Sequence, residues 1–247
     1  MPREPVTSVP APPTESVHRV PRARLVDRIE FVLEACRGVR VVHLGFVDET
    51  RTEERQAQGG WLHGQLERVA SELVGVDSSR TGVERAAESG YEAYVADVED
   101  ADQVVELGLE PADVVLAGEL IEHLANPGQM LGAIRPLLRP QGVLVLTTPN
   151  AHALTNVLAG LMGLELVNSD HVGWQSWWTA RELLARHGYR VDELAYYPFP
   201  RLDAVGTYAA AYRRRIAIFN AYLSAVRPLY RVRPSLADGL ILVASAA

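Results

Sequence analysis

The residues best suited to do chemistry in this chain are Glu119, Glu122 and His123, spaced E-x-x-E-H directly after the apolar run DVVLAG at 113–118. Read as a strand running into a helix, the i, i+3, i+4 spacing sets two carboxylates and an imidazole on one helical face. Such a set is half of a metal or acid/base site. Further polar residues fall at the ends of other apolar runs: Gly45, Asp77, Asp97 and Gly118. An acidic residue after a second strand can accept both hydroxyls of a ribose, and one after a third can reach an adenine amino group.

Those positions need a parallel sheet to bring them together. The runs at 41–45, 73–77, 93–97, 113–118 and 143–148 are short, apolar and without strict alternation, which suits strands buried on both faces. Helical patterns at 61–71, 80–89 and 127–138 separate them, a βαβ series. Leu25, Ile29, Val32 and Leu33 predict a helix from Arg22 to Cys36 ahead of the first strand. Thr179 and Glu182 predict a capping box for a later helix that Gly188 ends. Runs at 189–197 and 239–245 supply the last two strands, and the helical stretch at 203–227 reads as a lid or homodimer element.

The 247 residues fit one α/β domain, from 21 to 247, behind a leader over 1–20. Five prolines among small polar residues at 1–17 predict that the leader is disordered. A net charge of −7 argues against a general nucleic-acid binder, whose affinity comes from clustered cations. A small-molecule partner fits better. All 24 basic residues are arginine, which excludes Schiff-base lysine and P-loop lysine chemistry. The single Cys36 can form neither an internal disulfide nor a thiolate cluster and reads as a buried apolar residue. With no signal-like segment and no membrane-length apolar run, the expectation is a cytoplasmic protein with no membrane span.

The segments VVHLGFVDE, LVGVDSS, YVADVED, DVVLAGELIEHLANPG and GVLVLTTPN resemble five successive motifs of the class I methyltransferases, over about residue 38 to the C-terminus. The resemblance implies S-adenosylmethionine as cofactor and a Rossmann-like, doubly wound α/β sheet of seven strands, the last antiparallel. It implies that Gly45 lies under the methionine part, that Asp77 holds the ribose with Ser78 beside it, and that Asp97 and Val98 flank the adenine. Gly118 and Glu119 would border the sulfonium, with His43 and Phe46 in the cofactor loop. The chain departs from the family's G-x-G-x-G turn, since Phe46 stands for a small residue and Val47 for a glycine. A Cβ at those places blocks the usual close approach of backbone to cofactor. The charged loop at 48–60 is a source of replacement contacts or a surface insertion.

The E-x-x-E-H spacing, a downstream T-P-N and a histidine ahead of an aromatic-T-x-x-x-L helix start are similar to two methyltransferase groups. These are the metal-dependent small-RNA 2′-O-methyltransferases and the ubiquinone-pathway O-methyltransferases. Carried over, Glu119, Glu122, His123 and His171 would ligate Mg, Mn or Zn. The other reading is that Glu122 and His123 only open a helix. Without a metal, His123 or His171 is the candidate general base, with Glu119 beside them. Trp174, Trp177 and Trp178 could stack on an acceptor or simply pack, and Arg213, Arg214 and Arg215 could take a phosphate or form a solvated helix face. The reading these imply is O-methylation of a hydroxylated small molecule, a sugar or glycan intermediate ahead of a phenol. A scaffold that has lost catalysis and an RNA 2′-O-methyltransferase stand as alternatives.

Overall fold

The computed structural model describes residues 17–47, 60–201 and 210–247, with side chains from 213 in the last segment. Eight strands form one sheet: β1 (Arg24–Leu25), β2 (Arg40–Leu44), β3 (Glu72–Asp77), β4 (Ala93–Val95), β5 (Ala112–Gly118), β6 (Leu138–Pro149), β7 (Tyr189–Tyr197) and β8 (Gly239–Ala246). Their order is β1-β7-β8-β6-β5-β2-β3-β4. β8 runs antiparallel to both β6 and β7, while the other pairs are parallel.

The expected seven strands are corrected to eight by β1, which pairs Arg24 with Ala195 and Leu25 with Tyr196 at the sheet edge. The apolar pattern from Arg22 had suggested one helix. Asp27 decides otherwise: its backbone is extended and its carboxylate accepts the Glu30 N–H at 3.0 Å, so α1 (Arg28–Ala35) cannot start earlier. Residues before that cap are left extended and complete the sheet.

The other helices are α2 (Leu62–Leu66), α3 (Arg80–Glu88), α4 (Ala101–Glu106), α5 (Pro127–Ala133), α6 (Leu154–Leu161), α7 (Trp177–Arg186) and α8 (Ala210–Val232). The expected 127–138 helix stops at Ala133 and becomes a 3-10 turn over Arg135–Leu137, because Pro136 offers no N–H to continue it. α7 is capped one turn earlier than expected, by a box between Ser176 and Thr179. The expected helix at 203–227 is seen as α8, and the part over 203–209 lies outside the described residues, as do 1–16 of the leader and 48–59 of the charged loop. Among the described residues no helix is long and apolar enough to cross a membrane.

Alternate residues of the central strands enter two cores, as strands covered on both faces require. Val42, Leu44, Val115 and Ala117 join Met130, Leu131 and Leu184 from α5 and α7 on one face. Val41, Val114 and Leu116 join Val32, Cys36 and Leu66 from α1 and α2 on the other. From β2 the chain moves outward through β3 and β4, then returns to place β5 on the opposite side of β2. That reversal opens a crevice at the carboxyl ends of β2 and β5, where Gly45 and Gly118 lie.

A second polar junction fixes the far end of the sheet. The carboxylate of Asp238, buried just before β8, accepts from Thr155 Oγ1 of α6 at 2.8 Å, Tyr230 OH of α8 at 3.0 Å and the Phe199 N–H at 2.9 Å. Thr155 also meets Tyr222 OH of α8 at 3.0 Å. α6 and α8 are thereby held side by side.

Candidate active site

The crevice is a cleft of about 820 Å³, within the size range of small-molecule sites. His43, Gly45, Phe46, Asp77, Ser78, Asp97, Val98 and Gly118 line one part of it. Glu119, Glu122, His123 and His171 line another. The structure thus brings both groups of expected residues to one cavity.

The turn after β2 depends on Asp77. One carboxylate oxygen accepts the Val47 N–H at 2.9 Å and the other the Ser79 N–H at 2.9 Å. Gly45 turns the chain at φ +62°, and a Cβ there would lie 2.7 Å from Leu120 Cδ1. Beyond it, Phe46 and Val47 take space provided by glycines elsewhere. A Cβ on Gly75 of β3 would stand 2.7 Å from the Phe46 ring, and a Cβ on Gly82 of α3 would overlap Val47 Cγ1. Phe46 is buried with Trp61, whose indole N–H donates to the Phe46 carbonyl at 3.0 Å. The bulk expected to obstruct the loop is absorbed by Gly75 and Gly82.

Beneath this turn, His43 and His63 meet through their Nδ1 atoms at 3.1 Å, packed among Phe46, Trp61 and Tyr91. Burial holds His63 down to about 3, and burial with the neighbouring His63 and Arg28 holds His43 well below its ordinary value. Both are neutral near pH 7. Nε2 of His63 is buried without a hydrogen-bond partner among the described residues. The tautomer with the proton on His63 Nδ1 leaves only an acceptor unmet there, which costs less than an orphaned donor.

Glu119 does not share a helical face with Glu122 and His123, and that expectation is corrected. Only Ile121–His123 form a 3-10 turn, and Glu119 sits before it in the left-handed region at φ 55°. Its N–H donates to Thr147 O at 2.9 Å, and its Oε1 accepts from Thr147 Oγ1 at 3.0 Å and Tyr197 OH at 2.5 Å. Arg28 Nη1 lies 3.9 Å from the same oxygen and donates to Thr147 Oγ1 at 3.2 Å. Non-glycine residues in this conformation persist only where surroundings over-determine them, and such strain gathers at functional sites. Arg28, Thr147 and Tyr197 escaped the sequence reading because they come from the start of α1 and the ends of β6 and β7, far apart in the chain.

The three remaining members converge. One ligand atom each from Glu122, His123 and His171 lies within 4.8 Å of the others, and Glu119 is outside this group. Glu122 is buried; its Oε2 accepts from Thr148 Oγ1 at 3.0 Å, whereas Oε1 has no partner among the described residues. Burial first, then the Glu119 charge, raises its carboxyl to about 8. His171 Nδ1 is likewise buried and unpartnered, and burial followed by His123 lowers that imidazole. Asp170 Oδ2 stands 3.1 Å from His123 Nδ1, a contact that orients the ring. The segment carrying Asp170 and His171 is tied down where Val172 and Gly173 donate to the Glu122 carbonyl at 2.8 and 3.1 Å. A buried carboxylate oxygen of Glu122 and a buried ring nitrogen of His171, both without partners among the described residues and set beside a second imidazole, that of His123, are what a divalent cation with open positions would satisfy.

None of the three tryptophans is among the described residues lining the cleft. Trp177 packs on the main core, and Trp178 stacks on His18, with the Arg181 guanidinium carbon 4.9 Å from its ring centroid. Arg213, Arg214 and Arg215 are exposed on α8.

Two outcomes test this geometry. Gly82→Ala is expected to cost about 1–3 kcal/mol in denaturant unfolding through overpacking against Val47, and Val47→Ala in the same chain to recover most of it. Equal losses in the single and double variants would deny the exchange of bulk for glycine. The histidine pair sets a pH dependence: an unfolded chain binds protons below about pH 6.5 that His63 refuses until about pH 3. Stability is therefore full above 6.5 and lost as pH falls through that window, by up to about 1.4 kcal/mol per pH unit for each histidine. His63→Gln should flatten the unfolding free energy between those limits; an unchanged slope would show that His63 is already protonated in the folded state.

Comparison with known proteins places this geometry in a family. A methyltransferase domain model matches residues 57–194. A ubiquinone biosynthesis O-methyltransferase of Caulobacter sp. is 35% identical over 96 residues, 37% of this chain and 38% of that protein. One from Azorhizobium caulinodans is 29% identical over 174 residues, 66% of this chain and 63% of its own. The chain spans less than two thirds of the length of these relatives. A SAM dependent methyltransferase from Archaeoglobus fulgidus has the same fold, with TM-score 0.52 at 16% identity over 88% of this chain and 90% of that one. The chain belongs to the methyltransferase domain family.

Proposed function

We propose that the protein transfers a methyl group to a hydroxyl oxygen of a small molecule carrying neighbouring hydroxyls, a sugar or glycan intermediate ahead of a phenol. The observation that carries this reading is the single cleft shared by the Asp77 and Asp97 side and the Glu122, His123 and His171 cluster. When bound, S-adenosylmethionine would supply the methyl group from its sulfonium and leave as the neutral thioether S-adenosylhomocysteine, while the accepting hydroxyl would pass its proton to a base in the cleft. Asp77 would hold the ribose hydroxyls through its carboxylate, and the exposed carboxylate of Asp97 the adenine amino group. Gly118 leaves the floor of the cleft open beside Arg28 and Thr147, whose nearest atoms stand 3.8 Å from where a Cβ would be.

On the acceptor side Asn168, Ser169 and Asp170 form a polar rim next to His171. Such a rim suits a hydroxyl-rich acceptor. Glu122, His123 and His171 would hold a Mg, Mn or Zn ion, which lowers the pKa of a hydroxyl bound to it. Asp170 would keep the His123 ring in place, and the segment bound to the Glu122 carbonyl would shield the acceptor from water. Glu119, fastened to Tyr197 and Thr147, would act on the cofactor side of the cleft. With Asp77, Asp97, Glu119, Glu122 and Asp170 in its lining, the cleft favours a neutral acceptor over a polyanion such as RNA.

A methyl-transfer assay over a panel of sugars, nucleotide-activated sugars, catechols and a short RNA tests this. A vicinal-diol sugar is expected to be methylated, with activity abolished by EDTA and restored by manganese or magnesium. Glu122→Gln should lower turnover about 100-fold or more while cofactor binding stays. Turnover indifferent to EDTA would remove the cation, and turnover on catechol or RNA alone would replace the acceptor class.

A further inference from the structure

His43 on β2 and His63 on α2 form a polar pair inside an aromatic shell, 2% and 0% exposed. Room for the pair is built into the sheet. Gly75 of β3 is the ladder partner of His43, and a Cβ there would stand 3.0 Å from His63 Cε1, so no side chain separates the two rings. They meet Nδ1 to Nδ1 at 3.1 Å with their planes 22° apart. Burial, with the nearby charge of Arg28, keeps His43 neutral near pH 7, and burial does the same for His63.

A contact of that length holds one proton. Two would collide and two bare lone pairs would repel, so one ring donates and the other accepts. The far nitrogens decide which. If His43 donated, the proton of His63 would sit on Nε2, a buried atom with no partner among the described residues. The rings of Phe46, Trp61 and Tyr91 stand around it, and the Trp61 indole N–H is already spent on the Phe46 carbonyl. An orphaned buried donor is the costlier arrangement, so His63 donates from Nδ1 and His43 accepts. His43 then carries its own proton on Nε2, the ring nitrogen left to meet the cleft that it lines.

We propose that His63 is a positioning residue: by donating to His43 it fixes that ring as a hydrogen-bond donor to the carboxylate of the cofactor's amino-acid portion. The inference rests on the cofactor reading above and gives a role to a residue which that reading leaves without one. The ligand group follows from its chemistry. A neutral N–H cannot bond the ammonium or the sulfonium, since neither accepts a hydrogen bond. With the ribose assigned to Asp77 and the adenine amino group to Asp97, the strongest acceptor left on the cofactor is the carboxylate. Arg28 lines the same cleft, near enough for its charge to act on His43, and supplies a cation beside that donor. The reverse tautomer would present a bare nitrogen and favour the ammonium. One buried proton thus selects which end of the amino acid His43 holds.

Nuclear magnetic resonance of the full-length protein with isotope-labelled histidine tests this, each ring being assigned through its own backbone. The nitrogen shifts are expected to place the proton on Nδ1 of His63 and on Nε2 of His43, with a scalar coupling across the hydrogen bond between them. Added S-adenosylhomocysteine should shift His43 Nε2 and leave the tautomer unchanged. Its decarboxylated analogue should bind at least about tenfold more weakly and leave that nitrogen unmoved. His63→Glu, whose carboxylate only accepts, should place a proton on His43 Nδ1; a residue that merely fills space would leave the His43 shifts as they were. If that variant does not fold, the spectrum of the unsubstituted protein decides alone. A proton on His43 Nδ1 in the unsubstituted protein would overturn the proposal, and so would S-adenosylhomocysteine that binds without moving His43 Nε2. Failure of the cofactor reading looks different, since S-adenosylhomocysteine would then give neither heat nor shifts anywhere. A proton on His43 Nε2 would in that event still uphold His63 as the residue that sets the donor, and one on Nδ1 would end that role.

Discussion

The site depends on one carboxylate. Asp77 ends β3, yet it fixes the turn that leaves β2 by accepting the Val47 N–H, and it starts the approach to α3 by accepting the Ser79 N–H. That pair of bonds extends the anchoring of the two backbones beyond the ladder, which ends where the Gly45 N–H donates to Val76 O at 2.9 Å. Side-chain volume follows the same constraint. Phe46 and Val47 can occupy a turn that elsewhere favours small residues because Gly75 and Gly82 make room for them on the neighbouring strand and helix. This wall of the cleft is therefore a matched set of bulk and absence of bulk drawn from three elements.

The opposite wall rests on a different constraint, the left-handed backbone of Glu119. Turning at that residue sends its carboxylate toward Tyr197, Thr147 and Arg28, and leaves Glu122 to point inward at Thr148. Two acids three residues apart thus serve separate walls of one cavity. Burial beside the Glu119 charge raises Glu122, which is an unstable arrangement for a lone carboxylate and a natural one beside a cation.

Much of this was readable in the residues. The five central strands, their parallel order and the glycine and aspartate at their ends follow from run length and spacing alone, because strands buried on both faces have a strong local signature. β1 was not readable: two residues carry no periodicity, and only the partner edge of β7 makes them a strand. α4 and α6 were missed for related reasons, one being six residues long and the other largely apolar around its circumference. The E-x-x-E-H spacing put Glu119 on a helical face that it does not share with Glu122 and His123, since a single positive φ at Glu119 overrides helical periodicity. Arg28 and Tyr197 reach Glu119 from opposite ends of the chain, and no local pattern can announce a contact of that kind.

The central claim is that this altered turn holds S-adenosylmethionine. Calorimetric titration of the cofactor into the purified protein tests it most directly. The account predicts a saturable heat with one site per chain and a dissociation constant on the order of micromolar, lost in Asp77→Ala. Absence of heat, together with no thermal stabilisation by the cofactor, would contradict it and leave the fold serving some other ligand.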